Sequence, residues 1–397
     1  MPWLPDDDRF LHRALELARD ASAFASPNPA VGCVLTTATG DVLGEGAHLY
    51  DLRDHAEIVA LKDVAVRGHS PYGATAYVTL EPCSIHGRTG PCADALLAAG
   101  ISRCVVATAD PNPSVHGRGL AKLRSAGIAV EVVPASSEIA QQARRLNDAF
   151  AFSIVQGRPF VTLKAALSVD GKLAPPPSQR SAEAAPHWLT GPAARADVQQ
   201  LRHTQDAILT GIGTVLVDDP SLTDRTGQPR RRPLLRVVLD SHLRTPPTAA
   251  LFREATILRK QKPEYGDTPN TSDLLLFGTA GADSAALTAT GADVELLPEL
   301  SPLAVLKALH RRNIRSVLLE AGSRLNAAFL RAGLVDKLVL YFAESELGPD
   351  ALPFAVGGPS PFAIQERLSN ATRATFPHGD SEDIRITGYL HDPWAAV

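Results

Sequence analysis

Four residues of this chain have the types and order of a hydrolytic metal site. They are His55 and Glu57 in the tripeptide His55-Ala56-Glu57, Cys83 directly after Pro82, and Cys92. One imidazole and two thiolates suit zinc, and three protein ligands leave the fourth coordination position to water, as in catalytic rather than closed structural sites. Zinc lowers the pKa of such a water to about 7. A carboxylate two residues from the histidine is close enough to take the water's proton and pass it to the substrate and then to a departing amine.

An H-x-E…P-C-x-x-C order marks zinc-dependent nucleobase deaminases, in which the glutamate moves protons and is not a ligand. Here the cysteines stand nine positions apart instead of three. The longer loop keeps the chemistry intact if Cys83 ends a strand and Cys92 opens a helix, where the N-terminus favours thiolate. Taken singly, the four have plainer readings: a capping histidine, a solvated first-turn acid, and small core cysteines. Together, in this order and in strand-loop-helix contexts, they point to zinc. Cys33 and Cys104 lie inside apolar strand-like runs and are expected in a core; His12, on an amphipathic stretch, is expected to be structural.

The elements that must position these groups alternate. Residues 9–20 carry Phe10, Ala14, Leu17 and Ala18 at helical spacing, SPNPAVG breaks the pattern, and VGCVL reads as a strand. HAEIVALKDVAV then reads as a helix, ATAYVTL as a strand, CADALLAAG as a helix and RCVVAT as a strand. A further helix-strand pair (GLAKLRSAG, IAVEVV) and a polar helix at about 136–150 lead to QGRP, which has the punctuation of a linker. We place a boundary near 154–158, giving domains of 1–153 and 159–397. Beyond it, PFVTLKAAL, DAILTG, LLRVVLD, DLLLFG, SVLLEAG and KLVLYFA read as strands among helical stretches such as PLAVLKALHRR. Both halves are therefore α/β in class. The Pro-rich stretches 174–187 and KQKPEYGDTPNTSD are expected to be surface loops.

Composition narrows the partners. The 397 residues are 45% hydrophobic and 21% charged, a length that fits two domains. A net charge of −4 without long like-charge runs gives no footprint for nucleic acid. The acidic N-terminus has no apolar core of a signal peptide, and no run approaches the roughly 20 apolar residues that span a bilayer. Four cysteines in so long a chain do not make a disulfide framework. A cytoplasmic protein with small-molecule partners is expected, without membrane attachment, and as a homo-oligomer.

The segments SPNPAVGCV, HAEIVAL, TLEPCSIHGRTGPCADAL and ADPNPSVHGRG in the first half resemble one family closely. So do KAALSVDGKLA, HWLTG, DAILTGIGTVLVDDPSLTDR, VVLDS and LLEAGSRLNAAFLRAGLVDKLVLYF in the second. It is the bifunctional riboflavin-biosynthesis family that joins a diaminohydroxyphosphoribosylaminopyrimidine deaminase to a 5-amino-6-(5-phosphoribosylamino)uracil reductase. The resemblance implies a cytidine-deaminase-like three-layer domain followed by a dihydrofolate-reductase-like α/β domain, with zinc and NADPH as cofactors. It implies that Asn28 and His48 shape the deaminase pocket and that Arg88 meets the substrate phosphate. For the reductase it implies that Leu167, Trp188, Thr214, Asp218, Ser241 and the loop Gly322, Ser323, Arg324 and Leu325 meet the cofactor. Lys164, Asp170, Arg202, Leu222, Arg225 and Glu320 then meet substrate, with Arg202 and Arg225 as phosphate anchors. Backbone amides opening a helix after Gly322 suit a pyrophosphate.

The chain departs from the family pattern at a few positions. Ser84-Ile85-His86 displaces by one the histidine that usually follows the first zinc cysteine and serine, and Gly90-Pro91 replaces two prolines. In the second half, Pro186 stands where a serine is usual and Ala321-Gly322 replaces a glycine pair. The Pro186 departure motivates an alternative, a deaminase whose C-terminal half binds or scaffolds without reducing. A cytidine or tRNA-adenosine deaminase shares the zinc logic but not the long cysteine spacing or the second half.

Overall fold

The computed structural model describes residues 6–86, 90–179, 188–253 and 272–395. The chain divides into two compact units. One comprises Met1–Gln156 with Pro229–Arg231 and Trp394–Val397, and the other comprises Gly157–Gln228 and Arg232–Pro393.

The first unit is built on a five-stranded sheet of order β2-β1-β3-β4-β5. The strands are β1 (Gly32–Thr36), β2 (Val42–Ala47), β3 (Thr75–Val78), β4 (Arg103–Val106) and β5 (Ala129–Val132). β1 pairs antiparallel with β2 and β3, whereas β3, β4 and β5 run parallel. Successive side chains of a strand point to opposite faces, and both faces here are covered. Cys33, Leu35, Val78, Cys104 and Val106 pack with the helices Ala56–Val66, Cys92–Ala98 and Arg118–Ser125. Val34, Tyr77 and Val105 pack with the helices Asp7–Asp20 and Glu138–Leu146. Burial on both faces explains why these strands read as unbroken apolar runs. It also places Cys33 and Cys104 in the core, fully buried.

Three local readings change. β2 carries Gly44 and Gly46, which weaken its strand signal. A Cβ at Gly46 would come within 2.4 Å of Ala56 O, and one at Gly44 within 2.7 Å of Ala60 O, so the helix bearing His55 and Glu57 at its start rests directly on this strand. Cys83 does not end a strand: β3 stops at Val78, and residues 79–86 are irregular. The polar helix at 136–150 is two helices, Glu138–Leu146 and Asp148–Gln156, divided at Asn147, whose amide is claimed by the N–H and C=O of Ala30. The second ends at Gln156, with Ala151, Phe152 and Ser153 buried.

The second unit holds a nine-stranded sheet of order β11-β10-β9-β8-β12-β6-β13-β16-β15. Its strands are β6 (Phe160–Leu167), β8 (Ala207–Gly211), β9 (Leu235–Leu239), β10 (Leu274–Thr279), β11 (Asp293–Leu297), β12 (Ser316–Leu319), β13 (Lys337–Phe342), β15 (Ser369–His378) and β16 (Ser381–Tyr389). A separate small pair joins β7 (Lys172–Ala174) to β14 (Leu352–Pro353). From β11 to β13 every pairing is parallel, and β16 and β15 close the edge antiparallel. KLVLYFA is thus an interior strand, with Leu338, Val339, Leu340 and Tyr341 buried. The β15–β16 hairpin has no apolar run to announce it, since much of β15 faces solvent. No helix among the described residues is long and apolar enough to cross a membrane.

Candidate active sites

His55 caps the helix Ala56–Val66 with extended backbone, and Glu57 lies in that helix's first turn, 3% exposed. Cys92 opens the helix Cys92–Ala98. Its N–H donates to Cys83 Sγ (3.3 Å), and the Ala93 N–H donates to Cys83 O (3.1 Å), so the two cysteines are tied directly. His55 Nδ1 stands 3.5 Å from Cys83 Sγ and 3.3 Å from Cys92 Sγ. Zinc bonds of about 2.1 Å to nitrogen and about 2.3 Å to sulfur at tetrahedral angles put N and S about 3.5 Å apart, so this donor set fits zinc. Among the described residues these three form the one cluster of His, Cys, Asp or Glu able to hold a metal ion.

The two thiols differ: the hydrogen bond to Cys83 and burial push Cys92 well above the ordinary thiol range. Cys83 is pulled well below the ordinary thiol range, first by a hydrogen bond from the Cys92 thiol and then, against burial, by His55 and the Cys92 N–H. Burial raises Glu57 to about 7, near the pH at which a group both accepts and donates protons readily.

Asn28 and His48 come together beside this cluster. His48 Nδ1 lies 2.8 Å from Asp54 O, a pure acceptor, so Nδ1 carries the proton and Nε2 accepts from Asn28 Nδ2 at 3.1 Å. Burial pushes the His48 pKa down to about 4, keeping the ring neutral, and it stands edge-on to His55 with centroids 5.3 Å apart. Arg88 lies outside the described residues. The displaced His86 is exposed, whereas the Ser84 hydroxyl is buried with no hydrogen-bond partner among the described residues.

One buried acid escaped the sequence reading. Glu81, two residues before Cys83, accepts from the backbone N–H groups of Asp110 (3.2 Å), Gly117 (2.9 Å), Gly119 (2.9 Å) and Leu120 (3.3 Å). It joins the ADPNPSVHGRG loop to the segment that carries the first cysteine. Gly119 permits the approach, since a Cβ there would stand 1.9 Å from Pro82 O. The only sequence signal was an acid beside Pro-Cys, which does not reveal its partners about thirty residues on.

In the second unit the residues expected at the cofactor gather at the carboxyl ends of adjacent parallel strands, where open α/β sheets bind ligands. Ser241 follows β9, Thr214 lies in the helix after β8, Gly322 to Leu325 follow β12, and Leu167 ends β6. A Cβ on Gly322 would lie 3.9 Å from Thr214 Oγ1, and one on Gly211 3.4 Å from Leu325 Cδ2, so the loops after β8 and β12 touch. Gly322 caps the helix Ser323–Arg331, and the buried Ser323 hydroxyl has no hydrogen-bond partner among the described residues. Arg324 and Asp218 face solvent, and Trp188 is 59% exposed, its ring 5.3 Å from the Arg195 guanidinium. Pro186 lies outside the described residues.

The substrate candidates divide. Glu320 is held by Arg202, Nε to Oε1 at 2.8 Å and Nη2 to Oε2 at 3.0 Å, with Lys164 Nζ at 3.6 Å. Burial alone would raise the Glu320 carboxyl; the Arg202 and Lys164 charges and hydrogen bonds outweigh it and hold the pKa at about 2. The remaining Arg202 donor, Nη1, bonds Thr223 O, so this guanidinium is engaged within the protein, while the Arg225 side chain is exposed. Leu222 is buried with left-handed φ of 56°. Asp170 is turned away from Lys164: it accepts from Ser168 Oγ, Leu347 N and Gly348 N.

Comparison with known proteins agrees with both halves. Residues 159–373 match the RibD C-terminal domain, and residues 4–108 match the cytidine and deoxycytidylate deaminase zinc-binding region. The chain is 38% identical to the riboflavin biosynthesis protein RibD of Escherichia coli (strain K12), covering 87% of this chain and 89% of that one. It is 37% identical to that of Haemophilus influenzae, covering 86% and 87%. Among solved structures, Acinetobacter baumannii RibD aligns with a TM-score of 0.76 at 32% identity over 96% of this chain and 99% of that one. A diaminohydroxyphosphoribosylaminopyrimidine deaminase/5-amino-6-(5-phosphoribosylamino)uracil reductase from Thermotoga maritima aligns with a TM-score of 0.77 at 30% identity, over 96% and 98%. The chain therefore belongs to the RibD family of bifunctional riboflavin-biosynthesis enzymes, a zinc-dependent deaminase joined to an NADPH-dependent reductase.

Proposed function

We propose that the first unit hydrolyses the exocyclic amine of 2,5-diamino-6-(5-phosphoribosylamino)pyrimidin-4-one, and that the second reduces the product's ribosyl group to a ribityl chain. The reading rests above all on the convergence of one imidazole and two thiols beside a buried carboxyl. His55, Cys83 and Cys92 would hold zinc, which when bound supplies the Lewis acidity that makes water nucleophilic near neutral pH. Glu57 takes the proton from the attacking water and gives it to the ring nitrogen; it then takes the proton of the added hydroxyl and delivers it to the leaving amine, so that ammonia departs and a carbonyl remains. Asn28, oriented by the neutral His48, presents its amide to the pyrimidine edge.

In the second unit NADPH, when bound, would supply the hydride. Thr214, Ser241, Leu167 and the amides after Gly322 would hold it at the strand ends, with Trp188, Asp218 and Arg324 at the rim. Glu320, kept anionic by Arg202 and Lys164, accepts from ribose hydroxyls, and Arg225 meets the phosphate. The engagement of Arg202 by Glu320 and Thr223 favours a role in orienting Glu320 over direct phosphate capture. We also propose a homo-oligomer in the cytoplasm, the compartment being the part of this reading that four free cysteines support.

Ammonia release from the diaminopyrimidine substrate is the test, with wild type beside Glu57→Gln at equal zinc content. A rate lower by about 100- to 10,000-fold with zinc retained is the expected result. Zinc-loaded wild type that releases no ammonia would sink the assignment, and NADPH oxidation on the deaminated product tests the second half.

A further inference from the structure

Residues 229–231 fall, in sequence, between β8 and β9 of the second sheet, yet they belong to the first compact unit. Arg231 is the reason they matter. Its backbone N–H donates to Ala23 O (3.1 Å), and its side chain, 5% exposed, donates from Nε to Ser26 O (3.1 Å) and from Nη1 to Asp51 Oδ1 (3.2 Å). The guanidinium lies over the Tyr50 ring, 4.0 Å from its centroid.

These partners are the two segments that carry the pocket pair. Ser26 stands two residues before Asn28, and Tyr50-Asp51 two and three residues after His48. The same short turn leads to Asp54, whose carbonyl fixes the His48 tautomer, and to His55. A planar fork with a charged face suits this bridging of a carbonyl, a carboxylate and a ring at once; an ammonium does not. We infer that Arg231 is a positioning residue of the deaminase: it clamps the Asn28 loop to the His48 turn and so sets the Asn28–His48 pair against the metal cluster. The inference rests on the proposed role of Asn28 and His48 in that pocket. It means that the deaminase pocket is completed by a residue encoded in the reductase half, and that a chain ended near residue 156 lacks it.

The test uses the full-length, zinc-loaded chain as wild type, Asn28→Ala, Arg231→Ala, Arg231→Lys and the Asn28/Arg231 double variant, with zinc content measured for each. Arg231→Ala should lower kcat/KM for ammonia release by about 10- to 100-fold, the scale of an ångström's misplacement. Zinc content and NADPH oxidation on ready-deaminated substrate should stay within about twofold, and Arg231→Lys should restore only part of the loss. Because Arg231 acts through Asn28, the double variant should be no slower than Asn28→Ala, a non-additivity that mere loss of stability would not produce. Additive losses, zinc lost together with activity, or an unimpaired Arg231→Ala would overturn the inference while leaving Asn28 its role. If Asn28→Ala deaminates normally, the pocket reading itself fails and takes the inference with it.

Discussion

Glu81 illustrates how a site is held by groups that never touch substrate. Its two oxygens serve four backbone N–H groups from one loop, and no other acceptor among the described residues replaces them. Glu81→Gln turns an N–H₂ toward donors and should cost about 1–3 kcal/mol, read as a lower urea midpoint, together with weaker zinc retention against a chelator. Unchanged midpoint and zinc affinity would show that the loop holds without it. Gly119→Ala should do comparable harm, because its Cβ has nowhere to go against the Pro82 carbonyl.

Between elements, two ionic clusters decide geometry. In the first unit the helix Asp7–Asp20 is pinned by Asp7, fully buried, which takes both Arg103 nitrogens of β4 at 2.6 and 2.7 Å and the Tyr77 hydroxyl of β3 at 2.8 Å. Asp7→Ala leaves the buried Arg103 with Glu131 alone and should cost about 3 kcal/mol in chemical denaturation. In the second, Glu320 ties the end of β12 to Arg202 of the helix Pro192–His203 and Lys164 of β6. Folded Glu320 holds its proton near pH 2 against about 4.3 for an unfolded glutamate. The carboxylate therefore stabilises fully above about pH 5, and that contribution disappears as pH falls from about 4 to about 2. The urea midpoint of Glu320→Gln should lie below wild type at pH 6 and converge on it toward pH 3; a constant gap would refute the assignment.

At the scale of the molecule, each unit has its own sheet and core, and each site is framed by elements of its own unit. Removal of zinc with a chelator should therefore abolish ammonia release and leave NADPH oxidation on ready-deaminated substrate within about twofold. Parallel loss of both activities would mean that the reductase depends on the metal.

Local chemistry in the sequence determined the class of the elements and the donor set. Strands buried on both faces must be apolar throughout, so VGCVL, ATAYVTL and RCVVAT were legible, as were an imidazole, two thiols and an acid in deaminase order. Local signals failed where a remote group decides the outcome. β2 was hidden by Gly44 and Gly46, which exist to admit a helix; Asn147 breaks a helix because Ala30, far back in the chain, claims its amide; and Glu81 is held by the backbone of Asp110 to Leu120. Arg202 and Arg225 look alike in sequence, and only packing separates the one engaged with Glu320 from the one facing solvent. Arg231 could not have been assigned to the first unit from its neighbours in the chain. Its place is set by a carbonyl, a carboxylate and a ring about 180 to 205 residues earlier, contacts that no local periodicity encodes.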